Sequence, residues 1–189
     1  MAGLRAQKKA ATMRHVQGVA MDLFDAHGFD AVTIEQVAAA AEVSPRTVYR
    51  YFGTKEGLVL SDEQDEHLLE AVVARLDRTE LREAFLDAVR ESGPELLEAD
   101  LDLARRRVRL MVEVPAVRAA GLLVMDQLVQ HVWDALPDAA RRDPIVDRAR
   151  VAAVLWPVFT GLETWYLEGS DEPLDRLLVR ILEDAAPRG

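Results

Sequence analysis

Residues 33 to 58 read TIEQVAAAAEVSPRTVYRYFGTKEGL, and three helix starts follow one another within this short segment. Thr33, followed three residues later by Gln36, predicts a capping box at the first start. Ser44 predicts the second, because the proline after it loses no hydrogen bond at the first position of a helix. Thr54 supplies a cap for a third helix. Starts this closely spaced restrict the segment to short helices joined by tight turns.

The second of these helices is very short and rich in hydrogen-bond donors. It carries Arg46, Thr47, Tyr49, Arg50 and Tyr51. So many donors on so small an element have little use in packing. A rigid helix of this size fits the major groove of duplex DNA, where base edges offer matching acceptors. The segment therefore predicts a helix-turn-helix, and we call the predicted DNA-binding domain, residues 1–56, the reading head.

The same residues resemble the DNA-binding domain of the TetR family of bacterial transcriptional repressors. The matching positions are Thr33, Ile34, Val37, Ala38, Ala41, Val43, Ser44, Thr47, Tyr49, Tyr51, Phe52, Lys55, Glu56 and Leu58, and the preceding segment from Val16 to Phe29 also fits. The resemblance covers roughly the first third of the chain. Glu42 departs from the family, which usually has glycine there. A left-handed conformation at this non-glycine residue would cost on the order of 1 kcal/mol.

The resemblance implies a set of DNA contacts at the matching positions. The expected DNA-binding residues are Thr33, Ser44, Pro45, Arg46, Thr47, Tyr49, Arg50, Tyr51 and Lys55. Thr33, Thr47, Tyr51 and Lys55 would hold phosphates, and Tyr49 would meet a phosphate or a thymine methyl. Pro45 and Arg46 would face base edges, where an arginine–guanine pair contributes about 1–3 kcal/mol of discrimination. Arg50 is assigned equally to a phosphate or to solvent. The alternative is a structural helix-turn-helix that never touches DNA.

The distribution of charge agrees with a reading head at the amino terminus. The net charge of the whole chain is -10, which by itself argues against nucleic acid. Residues 1–60, however, hold seven basic and six acidic residues, whereas the remainder holds 16 basic and 27 acidic residues. The acidic excess lies outside the predicted head. It would weaken non-specific DNA binding and leave specific contacts intact.

Other features exclude several classes of protein. The chain has no cysteine, which excludes disulfides, thiolate metal sites and a cysteine nucleophile and agrees with a cytoplasmic location. No apolar run is long enough to span a bilayer, so we expect no membrane association. The four histidines are scattered without metal-ligand spacing, and neither a nucleophile elbow nor a phosphate-binding loop is present. We therefore predict no enzyme activity, no cofactor and no metal site.

Helical spacing of apolar residues runs through nearly the whole chain and predicts an all-α fold of about nine helices. We expect a helix-turn-helix domain at residues 1–56 and a helical effector-binding and dimerisation domain at residues 57–189. Residues 1–13 read as a frayed basic arm. A long helix should run from Thr54 or Lys55 to about Leu76, and a later one should end at Gly93-Pro94.

The penultimate helix, from about Ile145 to Leu167, is apolar on two sides and must therefore be covered on both. One side would pack on its own subunit and the other on a second copy. We assign the homodimer interface to Val151, Val154, Leu155, Val158, Leu162 and Trp165 of this helix, with Leu174, Leu178 and Ile181 of the last helix. The alternative is a central helix in a monomer.

Aromatic and isolated polar residues on the later helices favour an effector pocket between helices. The predicted lining is Phe85, Arg107, Met111, Met125, Trp156, Phe159, Thr160 and Glu163. An enclosed Arg107 would hold a carboxylate or phosphate of the ligand. The competing interpretations are a solvated arginine face around Arg107 and core or dimer packing for the aromatic residues.

Together these features predict a dimeric repressor that is released from a palindromic operator by a small-molecule effector. The partners would be double-stranded operator DNA, a second copy of the chain and an unknown small molecule. A regulator without a ligand, or an activator, has the same sequence signature. From another class, the chain could be a small-molecule binding or scavenging module with a vestigial helix-turn-helix.

Overall fold

The computed structural model describes residues 2–61, 63–97 and 101–184, with side chains described within 8–61, 67–91 and 101–184. These parts form ten α-helices and one short 3-10 turn, and they contain no strand. The all-α prediction is therefore confirmed. The helices are α1 (Ala2–His27), α2 (Ile34–Ala40), α3 (Pro45–Phe52), α4 (Gly57–Leu60), α5 (Glu63–Val73), α6 (Leu81–Leu97), α7 (Leu101–Glu113), α8 (Pro115–Ala135), α9 (Pro144–Leu167) and α10 (Leu174–Asp184).

The chain forms two compact units. The first unit comprises Met1–Glu63 and Arg105–Ala120, and the second comprises Gln64–Ala104 and Gly121–Gly189. Helices α7 and α8 therefore contribute residues to both units. The domain boundary that the sequence places between residues 56 and 57 stays a prediction.

In the first unit, α1 packs against α2 and α4, and α2 packs against α3. The apolar stripe of α1 is buried at Val16, Ala20 and Phe24. It meets buried side chains of the following helices: Ile34, Val37, Ala38, Val48, Phe52, Leu58 and Val59. This small apolar core gives the helix-turn-helix a fixed shape.

Side-chain caps start α2 and α3 where the sequence predicts, whereas the residue at the N-cap position of α4 is Glu56 and not the predicted Thr54. Thr33 Oγ1 accepts from the Gln36 amide at 3.2 Å while Gln36 Oε1 accepts from the Thr33 amide at 2.8 Å, which completes the capping box. Ser44 Oγ accepts from the Thr47 amide at 3.1 Å. Thr54 Oγ1 accepts from the Gly57 amide at 3.1 Å and orders the turn before α4.

Three predicted helix boundaries are wrong. The long connecting helix is interrupted at Ser61, whose extended backbone (φ -82°, ψ 132°) ends α4 after Leu60. Helix α6 runs through Gly93-Pro94 to Leu97, and the expected arm at residues 1–13 is helical from Ala2 onwards. The apolar period alone did not predict the break at Ser61, because apolar residues continue in helical spacing beyond it.

The second unit has its own apolar core, in which α10 packs against α6 and α9. Buried residues of α5, α6, α8, α9 and α10 form one cluster, including Val72, Phe85, Val132, Val151 and Leu182. At Gly161 an added Cβ would lie 2.2 Å from Ile181 Cδ1, so α9 and α10 approach closely there. Ile181 is consequently an internal contact between these two helices.

Candidate nucleic-acid interface

Helix α3 presents a polar outer surface on an apolar base. Val48 and Phe52 are buried beneath it, while Arg46 and Arg50 are exposed and Tyr49 is 48% exposed. Pro45 occupies the first turn, next to the Ser44 cap. The helix therefore offers its amino-terminal end and one face to an outside partner.

The turn before α3 contains a backbone conformation that L-residues rarely adopt. Glu42 has φ 55°, in the left-handed region. The Glu42 amide donates to the Ala39 carbonyl at 3.2 Å, and the Val43 amide donates to the Ala38 carbonyl at 2.9 Å. These two bonds form the Schellman arrangement that closes a helix, and its left-handed position is usually glycine. Glu42 thus keeps the turn geometry at an energetic cost.

Two of the predicted contact residues pack on each other beside the exposed face. Arg50 donates from a guanidinium nitrogen to the Tyr51 hydroxyl at 3.1 Å, and its guanidinium carbon lies 4.7 Å from the centre of the Tyr51 ring. Tyr51 also meets Phe52 edge to face. Thr47 Oγ1 lies 2.8 Å from Ser44 Oγ. Thr33, Ser44, Thr47 and Tyr51 therefore have structural roles in addition to any contact with phosphate.

Lys55 has an internal role that the sequence did not indicate. Its ammonium donates to the carbonyls of Phe29, Asp30 and Val32 at 2.9, 3.4 and 3.1 Å, and it lies 4.4 Å from the centre of the Phe29 ring. An ammonium has three donors. Because these are directed at the loop after α1, the geometry gives Lys55 a structural role, and its contact with phosphate stays a prediction.

The carboxyl end of α4 is held by side chains of two other helices. Gln17 of α1 is buried, and its Nε2 donates to the Leu58 carbonyl at 3.3 Å and to the Ser61 carbonyl at 2.6 Å. Arg107 of α7 donates from Nε to the Val59 carbonyl at 2.6 Å. A helix leaves its last carbonyls to be satisfied by groups outside it, and these two side chains supply the donors.

Ion pairs join α7 to the outer side of α1 within the first unit. A guanidinium nitrogen of Arg106 lies 2.7 Å from Asp22 Oδ1 and 2.6 Å from Asp25 Oδ2, and Arg109 also pairs with Asp25. Burial lowers the pKa of Arg106, but the hydrogen bonds to Asp22 and Asp25 outweigh it and raise the pKa above the ordinary value. Arg106 and Arg109 are therefore paired with two acidic residues of the reading head.

The eight predicted pocket residues do not come together as one site within either unit. Arg107 and Met111 belong to the first unit, whereas the other six belong to the second. Phe85 is buried in the core of the second unit with Met125 packed against that core, and the rings of Trp156 and Phe159 meet edge to face at 5.7 Å. Thr160 is exposed, and Glu163 is half-buried.

The predicted dimer stripe of α9 faces the core of its own chain. Val151, Val154 and Leu155 are buried there, and Val158 and Leu178 pack against the same core. The Trp165 indole donates to the Glu172 carbonyl at 3.0 Å. Leu162 and Leu174 are half-buried. The interface prediction is wrong for the buried α9 residues, because a side chain enclosed within one chain is not available to a second copy.

The opposite side of α9 is the one left uncovered. Residues at helical spacing along it are exposed or half-buried: Ile145, Ala149, Trp156, Thr160, Glu163 and Leu167. Ile145 is 84% exposed and Leu167 is 64% exposed. We call these six residues the outer stripe of α9. The sequence identified two apolar sides of this helix, and the side that it assigned to a second copy is the one that packs on the core.

Among the residues with described structure, no helix is long and apolar enough to cross a membrane. Within the same residues, no group of three or more histidine, aspartate or glutamate side chains is arranged to hold a metal ion.

Two family models match the chain. The model for bacterial regulatory proteins of the tetR family matches residues 18–61, and the model for the MftR C-terminal domain matches residues 79–188. The second match covers more than half of the sequence. Together the two matches include α2 to α4 and every helix from α6 onwards.

Two bacterial regulators are similar in sequence. The mycofactocin biosynthesis transcriptional regulator MftR of Mycobacterium tuberculosis is 31% identical over 119 residues, which cover 61% of this chain and 59% of that protein. The HTH-type transcriptional regulator TcmR of Streptomyces glaucescens is 32% identical over 158 residues, covering 81% of this chain and 62% of that protein. The chain thus spans less than two thirds of the length of either relative.

Solved structures share the fold. NalD, the secondary repressor of the MexAB-OprM multidrug efflux pump in Pseudomonas aeruginosa, superposes with a TM-score of 0.54 at 21% identity, covering 94% of both chains. The fatty acid degradation regulator FadR of Bacillus halodurans gives a TM-score of 0.56 at 15% identity, covering 91% of this chain and 93% of that chain. At such identities the similarity concerns the fold alone.

Proposed function

We propose, since the chain belongs to the TetR family of bacterial regulatory proteins, that it is a DNA-binding transcriptional repressor that acts as a homodimer. The observation that carries this proposal is the exposed end of α3, where Arg46 follows the Ser44 cap and Pro45. An arginine at the amino end of a short helix suits bidentate recognition of guanine in the major groove.

The rest of α3 and its neighbours supports the same function. Tyr49 and Arg50 extend the exposed face, and the capped turns hold the helix without occupying that face. Phosphate contacts would come from Thr33, Thr47 and Tyr51. In the sequence, these residues lie before, between and after the exposed residues of α3. Because Lys55 is engaged with carbonyls, we leave it out of the proposed DNA contacts.

A homodimer is the expected reader of a two-fold operator, because each copy contributes one α3. The outer stripe of α9 supports a second copy of this chain as the partner. Ile145, Ala149 and Leu167 of this stripe are exposed in the single chain and Trp156 is half-buried, and an extended apolar stripe on a helix must be covered. Two such stripes placed against each other would form an isologous interface.

We place a small-molecule effector in the second unit, which holds six of the eight predicted pocket residues. That unit contains the core helices α5, α6, α9 and α10, with the Trp156–Phe159 ring pair at its edge. An effector would release DNA only by binding more tightly to a state of the dimer in which the two reading heads do not match the operator. The chemical identity of the effector is left open.

DNA selection tests the proposal directly. A random duplex library is passed over the protein, and the affinity for the selected sequence is measured by fluorescence anisotropy. Arg46→Ala should cost about 1–3 kcal/mol of binding and relax the preference at one base position in each half-site. Arg78→Ala is the control, since Arg78 lies in the second unit and its side chain is 80% exposed.

Selection of no sequence by the wild-type protein would overturn the proposal and favour the alternative of a small-molecule binding or scavenging module. Equal affinities for wild type and Arg46→Ala would contradict the assignment of α3 as the recognition element.

A further inference from the structure

Helix α4 ends before Ser61, and we call this residue the joint. Ser61 has extended backbone, so the chain can change direction there with rotations at a few bonds. The recognition helix α3 is followed by only four residues before α4 begins at Gly57. The conformation at the end of α4 therefore influences the direction of α3.

Three carbonyls at this joint accept hydrogen bonds from side chains. Gln17 holds the carbonyls of Leu58 and Ser61, and Arg107 holds the carbonyl of Val59. The two donors come from α1 and α7, which are far apart in the sequence. Without these two donors, the carbonyls would accept hydrogen bonds from water, and other backbone conformations at Ser61 would become accessible.

The helix that supplies Arg107 is itself anchored to α1. Arg106 binds Asp22 and Asp25, and Arg109 binds Asp25, so the carboxyl-terminal part of α7 has several attachments to one side of the reading head. Arg107 is half-buried between these anchors and α4. The arrangement fixes the donor in place, which a single flexible arginine would not achieve.

We propose that Gln17 and Arg107 are positioning residues for operator binding, which fix the direction of α3 by holding the carboxyl end of α4. This inference rests on the proposed function as a DNA-binding dimer. Two heads that are each held rigidly recognise one separation between half-sites, whereas heads with a loose joint tolerate several. Arg107 therefore acts through the main chain of α4.

The test compares affinity for the selected operator with affinity for the same operator carrying one additional base pair at its centre. The variants are Gln17→Leu, Arg107→Met and the conservative Arg107→Lys. Gln127→Leu and Arg78→Met are matched controls at exposed positions of the second unit. Circular dichroism establishes that each variant is folded.

The wild type should strongly prefer the unaltered spacing. In Gln17→Leu and Arg107→Met this preference should fall by roughly 5- to 150-fold, the usual range of coupling between sites. Arg107→Lys should restore part of it, and the double variant should be non-additive because both side chains hold one short segment. The base preference within a half-site should remain unchanged, since α3 determines it.

Each outcome is decisive. Wild-type protein that selects no DNA sequence contradicts the proposed function, and this inference with it. A wild type that discriminates between spacings, with folded Gln17→Leu and Arg107→Met variants that discriminate equally well, overturns the inference alone. Where Arg107→Met does not fold, Arg107→Lys and Gln17→Leu decide, and unchanged discrimination in both overturns the inference.

Discussion

Glu42 occupies the tightest position in the turn between α2 and α3. Its positive φ is imposed by the two hydrogen bonds that close α2, and the side chain gains no compensating contact among those described for it. The backbone penalty is therefore a cost of this particular residue and not of the turn. At the scale of single residues, glutamate is therefore a less favourable choice than glycine at this position.

Glu42→Gly should stabilise the protein by about 0.5–1 kcal/mol, because glycine adopts the left-handed region without penalty and loses part of that gain to its freer unfolded state. Urea denaturation followed by circular dichroism measures the change. Glu42→Ala is the matched control: it removes the same charge and keeps the backbone penalty, so it should give no comparable gain. Equal stabilisation by both variants would attribute the effect to charge.

Asp147 is a second residue with a measurable signature. It accepts from the Asp143 amide at 2.8 Å and from Arg150 at 2.8 Å, while Asp143 caps the first amides of α9. The hydrogen bond from the Asp143 amide, assisted by Arg150, lowers the pKa of Asp147 below its ordinary value of 3.8. Its carboxylate therefore binds protons less readily in the folded state than in the unfolded state.

Because the folded pKa is lowered, Asp147 stabilises the protein fully above the unfolded value of 3.8, and this contribution is lost as the pH falls through the folded pKa. Asp147→Asn should be less stable than wild type at about pH 6, and the difference should narrow towards about pH 3. Urea midpoints measured across this range test the expectation. A difference that stayed constant with pH would show that the carboxylate charge is not responsible.

The two sides of helix α9 have different functions. The side bearing Val151 and Val154 closes the core of the second unit, and the outer stripe remains for a second copy. Both sides are rich in apolar residues. A charge introduced on the first side should affect folding, whereas a charge on the second should affect assembly.

Replacing Ile145 and Thr160 together by lysine should dissociate the dimer without unfolding the chain, since both side chains are exposed in the single chain. Each unpaired charge in a desolvated interface costs several kcal/mol. Light scattering coupled to size-exclusion chromatography gives the mass. Val154→Lys is the contrasting variant and should unfold the second unit, because Val154 is 6% exposed. A folded double variant that remained dimeric would locate the interface elsewhere.

The helix starts of the reading head could be predicted from the sequence because their determinants are local. Thr33 with Gln36, and Ser44 with the proline after it, specify caps within four residues of chain. Which side of α9 faces the core could not be predicted this way, since periodicity reports two apolar sides and not their neighbours. The roles of Lys55 and Arg107 also depend on carbonyls distant in the sequence, which no local pattern encodes.

At the scale of the whole molecule, the distribution of charge supports the proposed DNA-binding function. The first 60 residues are nearly neutral, and two of their six acidic residues, Asp22 and Asp25, are paired with arginines of α7. The remaining residues carry the acidic excess. Non-specific attraction to DNA should therefore be weak, so that specific contacts of α3 contribute most of the affinity.

Hydroxyl-radical footprinting of the selected DNA tests the central claim, that two copies of α3 read a two-fold symmetric operator. Our account predicts two protected tracts related by two-fold symmetry, with centres about one helical turn, ~34–36 Å, apart. Their protection should be lost together in the dimer-disrupting Ile145→Lys, Thr160→Lys variant. A single unsymmetrical tract, or no protection at concentrations where the wild-type protein is dimeric, would contradict it.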